Sequence, residues 1–220
     1  MTYALGTGIS FCVIEDRYLF LDLYKDRYFC LTRDAEQAFA CLCRGGDPDP
    51  ADRRPLPDLV ARGLLVEGAD GAPLVPIQGP GVATRSLLDE TSGRASRRDV
   101  AAALLHLGRA PLELRAAGFA GAIARLRRRK ARADNCIAPA RIVAVAAAFR
   151  ACARWVRAND RCLPRSLAVA NRLVRLGARP DLVIGVKLAP FKAHAWVQWG
   201  ELLVNERADV TRLFTPILVV

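Results

Sequence analysis

Two pieces decide how the chain reads: Asp160-Arg161-Cys162-Leu163-Pro164, and Ala193-His194-Ala195-Trp196-Val197 downstream of it. In the first, a turn-like Asn159-Asp160 gives way to a helical run, Leu163 to Leu176, with Pro164 in the opening turn, where a missing N–H costs least. A thiol at such a place sits against the positive end of a helix. With an imidazole nearby, that field lowers the thiol pKa and yields a thiolate nucleophile at neutral pH. The second piece supplies the imidazole on an alternating segment, Ala193 to Trp199, that reads as a strand. Gly200-Glu201 reads as a tight turn into a returning strand, Leu202-Leu203-Val204, which ends at Asn205-Glu206. In an antiparallel hairpin the residues about twelve positions after His194 return to it, so either Asn205 or Glu206 can orient the ring through its other nitrogen.

A lone cysteine in an apolar region is ordinarily a small buried hydrophobe, and the other six of the seven cysteines read that way. Cys162 differs in its flanks, polar before and helical after. His194 is one of two histidines; the other, His106, sits in the apolar run Leu104 to Leu107 and reads as a packed or capping residue.

The run Arg-Cys-Leu-Pro-Arg-Ser-Leu-Ala (161–168), with Leu-Val-Ile-Gly-Val-Lys (182–187), Ala-His-Ala-Trp-Val-Gln (193–198) and Val-Asn-Glu (204–206), resembles the transglutaminase-like cysteine protease that removes leader peptides in lasso-peptide biosynthesis. The resemblance covers about residues 140–206. It implies Cys162 as nucleophile, His194 as base and Glu206 as the acid, at a position where that family has Asp.

Composition frames this reading. With 220 residues the chain can hold one large domain or two small ones, and 52% hydrophobic residues suffice for a core. The longest apolar run, Ile142 to Phe149, is eight residues, well short of the roughly 20 that cross a bilayer, and the N-terminus has no signal-type core, so a cytoplasmic protein is expected. The cysteines, at 12, 30, 41, 43, 136, 152 and 162, show neither paired disulfide spacing nor a zinc pattern, and there is no Gly-rich phosphate loop; no metal and no cofactor are expected. The net charge of +11 is nearly all arginine, densest at Arg125 to Arg132. Without interleaved aromatics or a recognition helix, that run reads as a solvated helix end rather than a nucleic-acid surface.

Along the chain, Ile9–Ile14, Tyr18–Leu23 and Arg27–Leu31 alternate as a three-stranded meander. Thr32 then caps a helix, Arg33 to Cys43; a short helix, Pro57 to Arg62, and a strand, Leu64-Leu65-Val66, follow. Strands, helices and a returning strand in this order resemble the small winged-helix recognition element of enzymes that process ribosomally made peptides. There an extended leader adds to the edge of the third strand. The resemblance implies leader contacts from Tyr28, Phe29 and Leu31 on one side and Leu59 and Val60 on the other. Residues 71–96 read as a linker. Helices are then expected at Arg98–Leu107, broken by Gly108, at Pro111–Lys130 and at Pro139–Ala158.

The expected architecture is therefore α+β: a winged-helix-like recognition element at 1–70, a linker at 71–96, and a transglutaminase- or papain-like cysteine protease domain at 97–220. The resemblance implies a leader peptidase whose partners are a precursor peptide and a separate ATP-dependent lasso cyclase. Two other readings stay open: a Cys-dependent acyltransferase with the same triad, and a non-enzymatic adaptor that binds peptide or nucleic acid.

Overall fold

The computed structural model describes residues 2–46, 48–50, 52–68, 74–89, 95–153 and 162–220. They form two compact units, Met1–Ile77 and Gln78–Val220.

In the first unit, β2 (Ile9–Ile14), β3 (Arg17–Asp22) and β4 (Arg27–Cys30) form the expected meander, in the order β2-β3-β4. A strand that the sequence reading did not contain, β1 (Tyr3–Leu5), pairs antiparallel with β5 (Leu65–Glu67) as a separate ribbon. Between them lie α1 (Arg33–Cys43) and α2 (Leu56–Ala61). Strand alternation puts Phe11 and Phe20 opposite each other on one face of the sheet, where the edge of Phe39 from α1 meets both rings, at 5.1 and 5.0 Å. Leu56, Leu59, Leu64 and Leu65 close this core. Thr32 occupies the N-cap of α1 without a side-chain cap bond. Glu36, in its first turn, instead reaches back to β3 and accepts hydrogen bonds from the Arg17 guanidinium and the Tyr18 N–H.

The second unit begins earlier than expected. Within the stretch read as a linker, β6 (Arg85–Ser86) pairs parallel with β9 (Leu202–Leu203). The sheet runs β10-β7-β8-β9-β6, with β7 (Asp181–Lys187), β8 (Lys192–Trp199) and β10 (Thr215–Val219), and α6 (Ala208–Thr211) lies between β9 and β10. The apolar C-terminal stretch is thus the edge strand, antiparallel to β7. Three longer helices, α3 (Arg97–Ala131), α4 (Pro139–Cys152) and α5 (Cys162–Arg175), complete the unit. Leu167, Ala170, Leu173 and Val174, spaced three and four apart, give α5 a buried face, and it packs against α3, α4, β7 and β8. Trp155 and Val156, expected to continue α4, lie outside the described residues.

The helical reading needs one correction. The chain stays helical through Gly108 and Pro111, and departs from helical geometry at Gly118 (φ 66°, ψ 176°), a conformation essentially confined to glycine. A single glycine costs a helix only about 1 kcal/mol. Burial of Ala103, His106 and Ala110 along one face of α3 outweighs that, so Gly108 does not end it. After Gly118 the chain doubles back, and Arg129 of the second arm meets Glu113 of the first at 3.4 Å. No atom would obstruct a Cβ at Gly118, so a substitution there acts on the backbone alone. Gly118→Ala is expected to lower stability by about 1–3 kcal/mol, read as a lower midpoint in chemical denaturation.

The three helices share one anion. Ser96 caps α3 by accepting the Asp99 N–H, and buried Asp99 holds Arg141 of α4 through both carboxylate oxygens, with Arg172 of α5 at 3.6 Å.

Candidate active site

Cys162 is the first residue of α5; the Asn159-Asp160-Arg161 flank lies outside the described residues. His194 stands on β8, and Glu206 follows β9 on the return of the hairpin. The His194 Nε2 lies 2.6 Å from Glu206 Oε2, and the ring is hydrogen-bonded to the Cys162 thiol as well. With Nε2 taken by the carboxylate, Nδ1 is the nitrogen left for sulfur. Glu206 is fixed through its other oxygen, which accepts the Arg207 N–H at 3.0 Å, and through its carbonyl, which accepts the Ser86 hydroxyl of β6 at 2.8 Å.

The electrostatics match the geometry. Burial by itself raises the Cys162 thiol, but the bonds from His194 and from the Ala195 and Leu163 main chain outweigh it and bring the pKa below its ordinary 9.0. His194 is raised to about 9 by its bonds to Cys162 and to Glu206, against the cost of burial. Glu206 is held below the ordinary carboxylate value: burial opposes this, and the bonds to His194 and Arg207 prevail. Elsewhere burial is the largest influence, pushing Cys12 up to about 12 and Cys43 up to about 11 and raising Cys30 and Cys152, with Arg44 opposing it at Cys43 and Arg17 at Cys30. The reading of the other six cysteines as small buried hydrophobes holds for Cys12 and Cys152 and needs correction elsewhere: Cys41 and Cys43 are half-buried, and Cys30, at the end of edge strand β4, and Cys136, in the loop before α4, are exposed.

The structure also separates Asn205 from Glu206. In β8 and β9, Gln198 faces Leu203 and Trp199 faces Leu202; continuing that register puts Asn205 opposite Trp196, on the His194 face. The ladder ends before that. Val204 still donates to the Val197 carbonyl, but the Val197 N–H turns to the Asn205 side-chain oxygen at 2.7 Å. Asn205 thereby closes the ladder with its side chain, and Glu206 is the residue that reaches His194.

Sequence reasoning missed Ser166, one turn after Cys162. Fully buried, it donates to the Ala195 carbonyl at 2.8 Å and accepts from the Asn205 amide at 2.9 Å. The chain Val197–Asn205–Ser166–Ala195 thus pins the helix that begins at Cys162 to the strand that carries His194. Only the i,i+4 spacing of a hydroxyl behind the cysteine signalled it. Ser166→Ala leaves a buried amide and a carbonyl unpaired and is expected to cost about 1–3 kcal/mol. A lower melting temperature and a slower reaction should appear together.

A mostly apolar cavity of about 190 Å³, lined by Pro80, Val82, Trp196, Gln198, Phe214 and Pro216 among others, shares Trp196 and Phe214 with the surroundings of His194, although none of Cys162, His194 and Glu206 lines it. Phe214 approaches the imidazole at 5.3 Å and Trp196 at 6.4 Å, and the buried Trp196 indole N–H has no hydrogen-bond partner among the described residues. No three His, Cys, Asp or Glu side chains converge as a metal site among the described residues.

The model of the Transglutaminase-like superfamily matches residues 104–219, more than half of the chain. The chain belongs to that superfamily. No curated protein and no solved structure gives a match. Membership in the transglutaminase-like superfamily is compatible with cysteine peptidase or acyltransferase activity. Among the described residues, no helix of this transglutaminase-like protein is long and apolar enough to cross a membrane.

The residues expected at a leader site sit in the other unit. Phe29 on β4 stacks on Phe20 at 5.4 Å, and Leu31 and Val60 are half-buried against the same core. Tyr28 is half-buried on β4 and, by strand alternation, turns to the face opposite Phe29. Leu59 requires a correction: at 5% exposure it lies on the buried face of α2, in the same core cluster as Phe39 and Leu65, and it has no surface to offer a peptide.

Proposed function

We propose that this protein is a leader peptidase of lasso-peptide biosynthesis, in which the first unit binds the leader of a precursor peptide and the second hydrolyses the leader–core bond. The observation that carries the peptidase half is the Cys162–His194–Glu206 arrangement, a depressed thiol bonded to a raised imidazole that a carboxylate orients. The Cys162 thiolate attacks the scissile carbonyl. The oxyanion that forms is met by first-turn N–H groups of α5, which have no intrahelical acceptor. The His194 imidazolium gives its proton to the departing amine, leaving a thioester. His194 then takes a proton from water as the water attacks, and the leader leaves as a carboxylate with the thiol restored. The cavity lined by Trp196 and Phe214, the two rings that flank His194, has the size and apolar lining to hold one side chain of the substrate.

Support for leader binding is architectural. β4 is an edge strand, and among the described residues no strand pairs with its outer side, so its main chain is open to strand addition. Tyr28, Phe29 and Leu31 then line the peptide on and just after that strand, with Val60 nearby. The freed core passes to a separate ATP-dependent cyclase. Mass spectrometry of a candidate precursor, incubated with the protein and without the cyclase, tests the proposal. Release of separate leader and core is the expected result; intact precursor rules the peptidase reading out, and a leader joined to an added amine identifies an acyltransferase.

A further inference from the structure

A second cavity, of about 500 Å³, opens between the two arms of α3 and the C-terminal half of α5, lined by His106, Arg109, Ala110, Glu113, Arg129, Asn171 and Arg175. Its volume lies in the range of small-molecule sites, about 300–1,000 Å³. Its charge is unbalanced. Glu113, the single carboxylate of the lining, is already engaged by Arg129 at 3.4 Å, by Arg125 at 3.9 Å and by the Asn171 amide at 3.5 Å. Arg129 is fixed a second time by the Asn171 oxygen at 2.6 Å. Arg109 and Arg175 have no carboxylate and no hydrogen-bond acceptor among the described residues, although both face the same cavity.

His106 sharpens the point. It is 8% exposed, and its ring makes no hydrogen bond among the described residues, although it lines the cavity. Burial, and then the field of Arg172, Arg175, Arg109 and Arg129, lowers its pKa to about 4, so at neutral pH it presents one N–H donor and one lone pair. Two guanidiniums gathered at one cavity repel each other, although both are exposed, and the His106 imidazole finds no partner there among the described residues. A bound oxyanion relieves both.

We infer that this cavity is a binding site for a small oxyanionic ligand carrying two or more negative charges, held by Arg109 and Arg175 and hydrogen-bonded by His106. Guanidinium forks suit phosphate and carboxylate alike, so the shared chemistry is the planar or tetrahedral oxyanion. The site lies on elements that also hold the nucleophile: Asn171 and Arg175 are on the helix that begins with Cys162.

The test is titration calorimetry of the full-length protein at about 0.15 M salt, with pyrophosphate and citrate as parallel probes to separate a phosphate from a carboxylate ligand. One-site binding of either probe is expected. Arg109→Ala and Arg175→Ala, both at exposed positions that leave the core intact, should each weaken it about tenfold, the loss of one charge-assisted contact. Arg127→Ala/Arg128→Ala, which removes two exposed cations outside the cavity, should leave affinity unchanged. Three outcomes overturn the inference: no binding of either probe, an equal loss in the Arg127/Arg128 variant, or a poly-glutamate peptide binding while both small anions do not. None of them bears on precursor cleavage, so this site and the peptidase reading fail separately.

Discussion

Cys162→Ala is expected to abolish precursor cleavage, lowering the rate on the order of 10⁴-fold or more while leaving the fold intact. The size of the effect follows from the cysteine's position in the scheme. His194 and Glu206 act on the reaction only through that thiol, so nothing else in the triad has a substitute nucleophile to activate. The thiol is half-buried and small, and alanine fills most of its volume, so circular dichroism and leader binding should be unchanged. Loss of cleavage with retained binding supports the proposal. Undiminished cleavage by the alanine variant would remove Cys162 from the chemistry and leave its depressed pKa without a role.

Glu206→Gln is the second large effect, expected to lower kcat about 10² to 10⁴-fold, the range for removing the orienting acid of such a triad. Its signature is a pH profile. The reactive form pairs a thiolate with an imidazolium. The acid limb of kcat/KM therefore follows the Cys162 thiol, held below 9.0, and the alkaline limb follows His194 at about 9. The neutral amide keeps an acceptor oxygen but loses the carboxylate charge that helps to raise His194, so the alkaline limb moves to lower pH; a residue that merely supported the loop would lower the rate without moving it. Stability changes in the same sense. Because the folded pKa of His194 is raised, its contribution is fully present below the ordinary 6.5 and is lost as pH rises through about 9. Because that of Glu206 is depressed, its contribution is present above 4.5 and is lost as pH falls through its folded value. In Glu206→Gln both slopes should flatten in melting temperatures measured across pH.

Much of this site is legible in the linear chain because Cys162 and His194 each sit on a strong local signal. A proline in a first turn marks where α5 begins, and alternation with a Gly-Glu turn marks the β8–β9 hairpin. The choice between Asn205 and Glu206 was not legible. Regular pleating favours Asn205, and the outcome turns on one N–H, that of Val197, taking a side-chain acceptor in place of the expected main-chain one. Ser86 falls in a stretch that reads as linker because a two-residue strand carries no periodicity; its pairing beside β9 and its hydroxyl bond to the Glu206 carbonyl are what bring it into the site. The expected break at Gly108 failed for a different reason. Gly108 and Gly118 look alike in sequence, and what separates them is the burial of neighbouring side chains and the turn that lets the second arm of α3 run back along the first.

The Ser166–Asn205 link has a bearing on the life of the newly made chain. The sulfur's low pKa depends on an imidazole 32 positions away and on the main chain of Ala195, none of which is in place until the hairpin has zipped and docked on α5. Before that moment Cys162 is an ordinary thiol, no more reactive than its six companions. The thiol is thus latent until that docking is complete, and the rate at which this one sulfur becomes alkylatable is a direct clock for the docking of the hairpin on α5.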